Sequence, residues 1–170
     1  TRRPFGLNLF FPTRDEPDDE TLTAYARTLH SEEERYGARC GDPVWTADEW
    51  DGKLDLVGRE RPAVVSFTFG CPGREIVEWL KGLGVTVWAT VTSVGEAHQA
   101  ISSGVTALVV QGAEAGGHQG SYLNHDDEPS SVLALLQQIR PATDLPLIAA
   151  GGIADARGVA GVLAAGAVAA

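Results

Sequence analysis

From residue 63 onward, apolar and polar positions follow a regular alternation. Mostly apolar runs at 63–69, 85–91, 106–111 and 146–150 are separated by amphipathic stretches at 73–83, 93–103, 130–139 and 155–165. The short runs read as strands buried on both faces and the longer stretches as helices, which predicts a parallel sheet with right-handed crossovers. An earlier run, Phe5 to Phe10, carries Gly6 and closes at Pro12, so it reads as one more strand. After it, the acidic stretch Asp15 to Glu20 leads into a helix with Leu22, Tyr25, Ala26 and Leu29 at three- and four-residue spacing. Cys40 to Asp48 reads as a loop and Ala47 to Val57 as a second short helix. The fold class is α/β.

Side-chain alternation within the strands narrows this further. Val64, Ser66 and Thr68 are small and partly polar, whereas Val65, Phe67 and Phe69 are bulky. A closed barrel takes every second residue inward and packs the others against helices, so this pattern points to a (βα)8 TIM barrel. The strands number five, with a sixth beginning at Ala167. A complete barrel takes about 250 residues, so the 170 present are expected to form one barrel domain without its early strands and its C-terminal part. Unpaired parallel edges would then favour association, for example as a homo-oligomer.

Composition removes several functional classes. Thirteen Lys and Arg against 23 Asp and Glu give a net charge of −10, and no basic face exists to meet nucleic acid or an anionic membrane. No apolar run approaches the roughly 20 residues a membrane helix needs. Two cysteines, Cys40 and Cys71, with no metal-like grouping, exclude a disulfide scaffold and a metal site and point to the reduced cytoplasm.

Candidate chemistry lies where strands run into glycine. Residues 111–120, QGAEAGGHQG, follow a strand and hold four glycines and two alanines. Such a loop lets backbone N–H groups approach a flat or anionic ligand, and it carries one imidazole, His118, suited to general-base work near neutral pH. The competing reading is a solvent-exposed loop histidine. In the second segment, strand 146–150 runs through Gly151-Gly152 to a helix that Asp155 can N-cap, a ready anion site or simply a tight turn. Asn8 offers an amide near the end of the first strand. Cys71 follows a strand at the same level but has no base beside it in sequence. His30, His98 and His125 sit in helical or polar contexts, and the four tryptophans read as packing residues.

PFGLNLF at 4–10, VVSFTFGCP at 64–72, VQGAEAGGHQG at 110–120 and PLIAAGGIADARGVAGVLAAGA at 146–167 together resemble the FMN-dependent nitronate monooxygenases, formerly called 2-nitropropane dioxygenases. FMN-dependent enoyl-ACP reductases share much of the pattern. The resemblance implies a TIM barrel with FMN at its C-terminal mouth. It implies that Asn8, Gln111, Ala115, Gly116 and Gly117 lie at the flavin, Gly151 and Gly152 at its phosphate, and His118 over the ring as the catalytic residue. The implied reaction oxidises a small nitronate or nitroalkane with dioxygen to a carbonyl compound and nitrite. Two further readings stay open: a nicotinamide-driven FMN reductase acting on an enoyl thioester or quinone, and a non-catalytic barrel that binds a phosphorylated ligand. The family's first strand and the strand expected after Gly166-Ala167 lie outside these residues, and with them part of the phosphate cradle and the C-terminal lid.

Overall fold

A computed structural model of the chain describes residues 3–12, 17–122 and 129–170. They form two compact units, one of residues 14–49 and the other of 1–13 with 50–170. His125 and the first residues of the acidic run at 15–20 lie outside the described residues.

The larger unit is a five-stranded sheet: β1 (Gly6–Phe10), β2 (Val64–Thr68), β3 (Thr86–Val91), β4 (Ala107–Gln111) and β5 (Leu147–Ala150). The strands are parallel and adjacent in chain order. Crossing between them are α3 (Trp50–Glu60), α4 (Arg74–Gly82), α5 (Val94–Ser103) and α6 (Val132–Ile139), with α7 (Ala156–Ala164) after β5. Ala169 then bridges in parallel to Ile148, where the expected sixth strand begins. Consecutive parallel strands in this order make part of a (βα)8 barrel wall, as the strand pattern predicts.

The alternation sorts the two faces of this wall. Leu9, Val65, Phe67, Val87, Ala89, Val91, Leu108 and Val110 are buried beneath the helices. Burying a branched or aromatic side chain is worth about 1.5–3 kcal/mol, so this layer dominates the core. On the other face, Asn8 is level with Ser66, and Ser66 with Trp88. Phe69 departs from the expected pattern. Strand alternation puts it on the helix-facing side with Val65 and Phe67, but its φ of +68° turns the chain, and its ring lies beside Phe10 and His118.

Helix boundaries follow local chemistry. Ser93 caps α5 through the Glu96 N–H at 3.2 Å, and Ser131 caps α6 through Ala134 at 3.3 Å. The helix expected at 47–57 starts instead at Trp50 and runs to Glu60. Thr46 Oγ1 accepts from the Asp48 N–H at 3.1 Å, and Asp48 and Glu49 both have positive φ, so the chain turns there before it can wind. Trp79 packs over Gly58, and Trp50 stacks on Phe11 and Phe67, consistent with packing roles.

In the smaller unit, α1 (Asp19–Thr28) and α2 (His30–Tyr36) appear where one helix was anticipated. Asp18 caps α1 through Thr21 N at 2.7 Å. Neither helix buries a residue: Leu22 and Leu29 are half-buried and Tyr25 is exposed.

Asp155 caps α7 as anticipated, accepting from Arg157 N at 3.0 Å and Gly158 N at 2.9 Å. Its carboxyl is held below the ordinary 3.8, first by the Gly158 N–H and then by the Arg157 side chain. A lowered folded value stabilises the fold above the unfolded value, and that contribution is lost as pH falls through the folded one. Asp155→Asn is therefore expected to be less stable than the parent at about pH 7, with the gap narrowing at about pH 3. Urea melts at both pH values check this; a gap that is the same at both would refute the assignment.

Candidate active site

Every glycine-rich segment singled out from the sequence ends at the same place, the C-terminal edge of the sheet. Gln111, the last residue of β4, organises the loop after it. Its Nε2 donates to the His118 carbonyl at 3.2 Å and its Oε1 accepts from the Gly120 N–H at 2.6 Å. Both ends of the amide thus hold the loop closed on its own strand. Gln119 reinforces this, donating to the Ala113 and Ala115 carbonyls at 3.4 and 3.3 Å. Glu114 reaches the other way, its carboxylate accepting from Val132 N at 3.0 Å at the start of α6. Sequence reasoning misses both Gln119 and Glu114; their signal is a long polar side chain inside an otherwise side-chain-poor loop.

The second segment packs on the first. Gly151 and Gly152 have φ of +98° and +68°, and a Cβ on Gly151 would lie 2.9 Å from Ala115 N, one on Gly152 2.7 Å from Glu114 Cβ. Close loop approach therefore demands glycine here, independent of any ligand. The anion site sketched from sequence needs one revision: the Asp155 carboxylate occupies the Arg157 and Gly158 donors. What remains for an anion is the Gly151 and Gly152 N–H groups, which have no acceptor among the described residues.

Asn8 joins the site through a row of hydroxyls. Its Oδ1 accepts from Ser66 Oγ at 2.9 Å and Thr68 Oγ1 at 3.0 Å, and Thr68 Oγ1 lies 3.2 Å from Thr90 Oγ1. Two donors on Oδ1 fix the amide and leave Nδ2 without a partner among the described residues. The row continues to the loop, since a Cβ on Gly120 would meet Thr90 Cγ2 at 2.9 Å and Thr68 Cγ2 at 3.2 Å.

His118 stands exposed on the loop. Its ring lies 5.8 Å from that of Phe69, edge-on at 74°, and 6.4 Å from that of Phe10. Its ring nitrogens have no hydrogen-bond partner among the described residues. The imidazole is thus free to exchange a proton with a bound molecule. Gly116 and Gly117 beside it face open space, with nothing within 4 Å of an added Cβ. The mouth offers a ligand the Asn8 amide nitrogen, open backbone at Gly116 and Gly117, and Gly151 and Gly152 N–H donors that have no acceptor among the described residues.

Other candidates fall away. Cys71 is buried, donates to the Pro72 carbonyl at 3.5 Å, and has its thiol pushed up to about 11 by burial, which leaves little thiolate for attack. His30 pairs with Glu33 in the smaller unit, and His98 lies within α5. Beside the loop, a cleft of about 620 Å³ opens between α5 and α6 and shares Gln111 and Gln119 with it. It does not include His118. Among the described residues, no helix is long and apolar enough to cross a membrane.

Comparison with known proteins places the chain in a family. A probable nitronate monooxygenase from Staphylococcus haemolyticus is 37% identical over 172 residues, covering 94% of this chain and 46% of the relative. The crystal structure of nitroalkane oxidase from Streptomyces ansochromogenes superposes with a TM-score of 0.91 at 39% identity, over 98% of this chain and 49% of that one. FabK from Thermotoga maritima follows at a TM-score of 0.64 and 26% identity, over 99% of this chain and 40% of that one. The chain spans about half the length of the curated relatives it matches. Because residues 1–170 match nitronate monooxygenase from end to end, the chain belongs to the nitronate monooxygenase family, whose members are flavin-dependent oxidoreductases.

Proposed function

We propose that this chain carries the catalytic mouth of an FMN-dependent enzyme that oxidises alkyl nitronates with dioxygen to a carbonyl compound and nitrite. The observation that carries the reading is His118, exposed on a loop clamped by Gln111, with an imidazole free of protein hydrogen bonds among the described residues. FMN, when bound, supplies the redox chemistry. Asn8 Nδ2 and the open backbone at Gly116 and Gly117, beside Ala115, would hold the ring, and the Gly151 and Gly152 N–H groups the phosphate. Gln111 acts by setting the loop, its amide being engaged at both ends. One imidazole nitrogen of His118 takes the α-proton of a neutral nitroalkane; toward a nitronate already formed, the protonated ring holds the negative charge.

Nitrite release from a nitronate by the full chain reconstituted with FMN tests the proposal, and release no faster than with free flavin would refute it. One competing reading follows from the motifs shared with FMN-dependent enoyl-ACP reductases, a nicotinamide-driven reductase. Rapid anaerobic bleaching of the flavin by NADH or NADPH would support the reductase; indifference to both supports the monooxygenase.

Association is also part of this reading. Among the described residues β1 pairs only with β2, and its residues Gly6, Asn8 and Phe10 are exposed, Phe10 at 49%. An open edge beside apolar side chains recruits further strands. Residues 1–170 produced alone are expected to elute above monomer size, whereas a sharp monomer with one cooperative melt would contradict this.

A further inference from the structure

We propose that Phe69 is the positioning residue for His118, holding the imidazole edge-on so that a ring nitrogen faces the substrate; this rests on the catalytic role given to His118 above. The loop backbone at His118 is fixed by Gln111, yet nothing polar among the described residues fixes the ring. Histidines that act as bases are commonly oriented by a carboxylate or carbonyl on the second nitrogen. Here the ring meets two aromatic side chains instead: Phe69 at 5.8 Å and 74°, and Phe10 at 6.4 Å and 46°. Those two pack edge-to-face on each other at 4.8 Å and 70°, so the three rings form a closed set. Edge-to-face contact between rings is directional and can take over the orienting task.

Phe69 reaches this position at a backbone cost. By strand alternation it would follow Val65 and Phe67 beneath the helices; φ of +68° brings it to the mouth. A bulky residue in the left-handed region persists only where its surroundings impose it. They do so here. Phe11 N donates to the Thr68 carbonyl at 2.8 Å, which brings the Phe11 ring onto Gly70, where a Cβ would strike that ring. Phe11 is backed in turn by Trp50 at 5.2 Å, and Trp50 by Phe67 at 5.9 Å. The buttress is anchored in the core through Trp50 and the buried Phe67, whereas Phe69 itself is only half-buried and Phe10 is exposed. What it delivers is a ring against His118.

The test uses Phe69→Leu, which keeps apolar bulk and removes the ring, in the full chain. The His118 imidazole proton resonances of the flavin-free protein should lose the ring-current shift that Phe69 imposes, and Phe69→Tyr should restore it. With FMN bound, kcat for a neutral nitroalkane should fall roughly tenfold or more, while KM, and kcat for the preformed nitronate, stay near the parent values. Phe10→Leu, on a regular strand without backbone strain, should move the same resonances in a protein whose melting is otherwise normal. His118 resonances unchanged in both leucine variants would overturn the proposal, as would a fall in kcat that Phe69→Tyr does not restore. Should the full chain oxidise neither substrate, the reaction assigned above fails, and the resonances alone still decide whether Phe69 orients the ring.

Discussion

Replacing His118 with asparagine is expected to slow turnover of neutral nitroalkanes by about 10²–10⁴-fold, the usual worth of a general base, while flavin binding stays nearly intact. Asparagine preserves the loop because the contacts that hold it are made by main-chain groups at 118 and 120 with Gln111, and not by the imidazole. The effect should depend on substrate. A preformed nitronate needs no deprotonation, so its loss should be much smaller, limited to the charge the protonated ring holds. Steady-state rates with both substrates, normalised to bound flavin, decide the matter. If the variant loses flavin but keeps its turnover per flavin, the imidazole belongs to the loop structure and the catalytic assignment fails.

Gly152→Val should have the opposite signature. A β-branched residue at φ of +68° is strained, and its Cβ would crowd Glu114, the residue that holds the start of α6. Left-handed strain and overpacking each cost about 1–3 kcal/mol, so a total of about 2–6 kcal/mol is expected in denaturant melts of the flavin-free protein. Flavin retention should fall with it. Gly116→Ala separates the two effects, since its added methyl meets nothing within 4 Å. Stability should then be unchanged within about 0.5 kcal/mol, and any weakening of FMN binding reads the ligand contact alone. A Gly152→Val protein as stable as the parent would refute the packing account. A Gly116→Ala protein with undiminished FMN affinity would remove that glycine from the cradle.

The part legible in the sequence is what depends on near neighbours. Strand and helix follow from which residues are apolar and at what spacing, so the alternation of Val64 to Thr68 revealed both the class and the inner face. Caps at Ser93, Ser131 and Asp155 are set within three residues of the chain. The glycine runs at 116–117 and 151–152 marked the mouth because removing side chains is itself a local, visible act. Periodicity misled where a local bond outweighed it, as at Thr46 and Asp48, where a hydroxyl turns the chain before α3.

Contacts between distant segments were decided only by the tertiary structure. Gly151 and Gly152 read from sequence as an anion site or a tight turn, and the close approach of Ala115 and Glu114 that requires glycine at both, with or without an anion, is visible only in the packing. That the Gln111 amide clamps the loop following its strand is likewise visible only in the packing. Parity puts Phe69 on the helix-facing side with Val65 and Phe67, and no rule of alternation foresees that Phe11, 58 positions earlier, sits over Gly70 while the Phe69 ring lies beside His118. The physical reason is common to all three. A residue's conformational preference is worth about a kilocalorie per mole, and several contacts from a distant segment together exceed that, so the site's final geometry lies in packing that one-dimensional spacing does not encode.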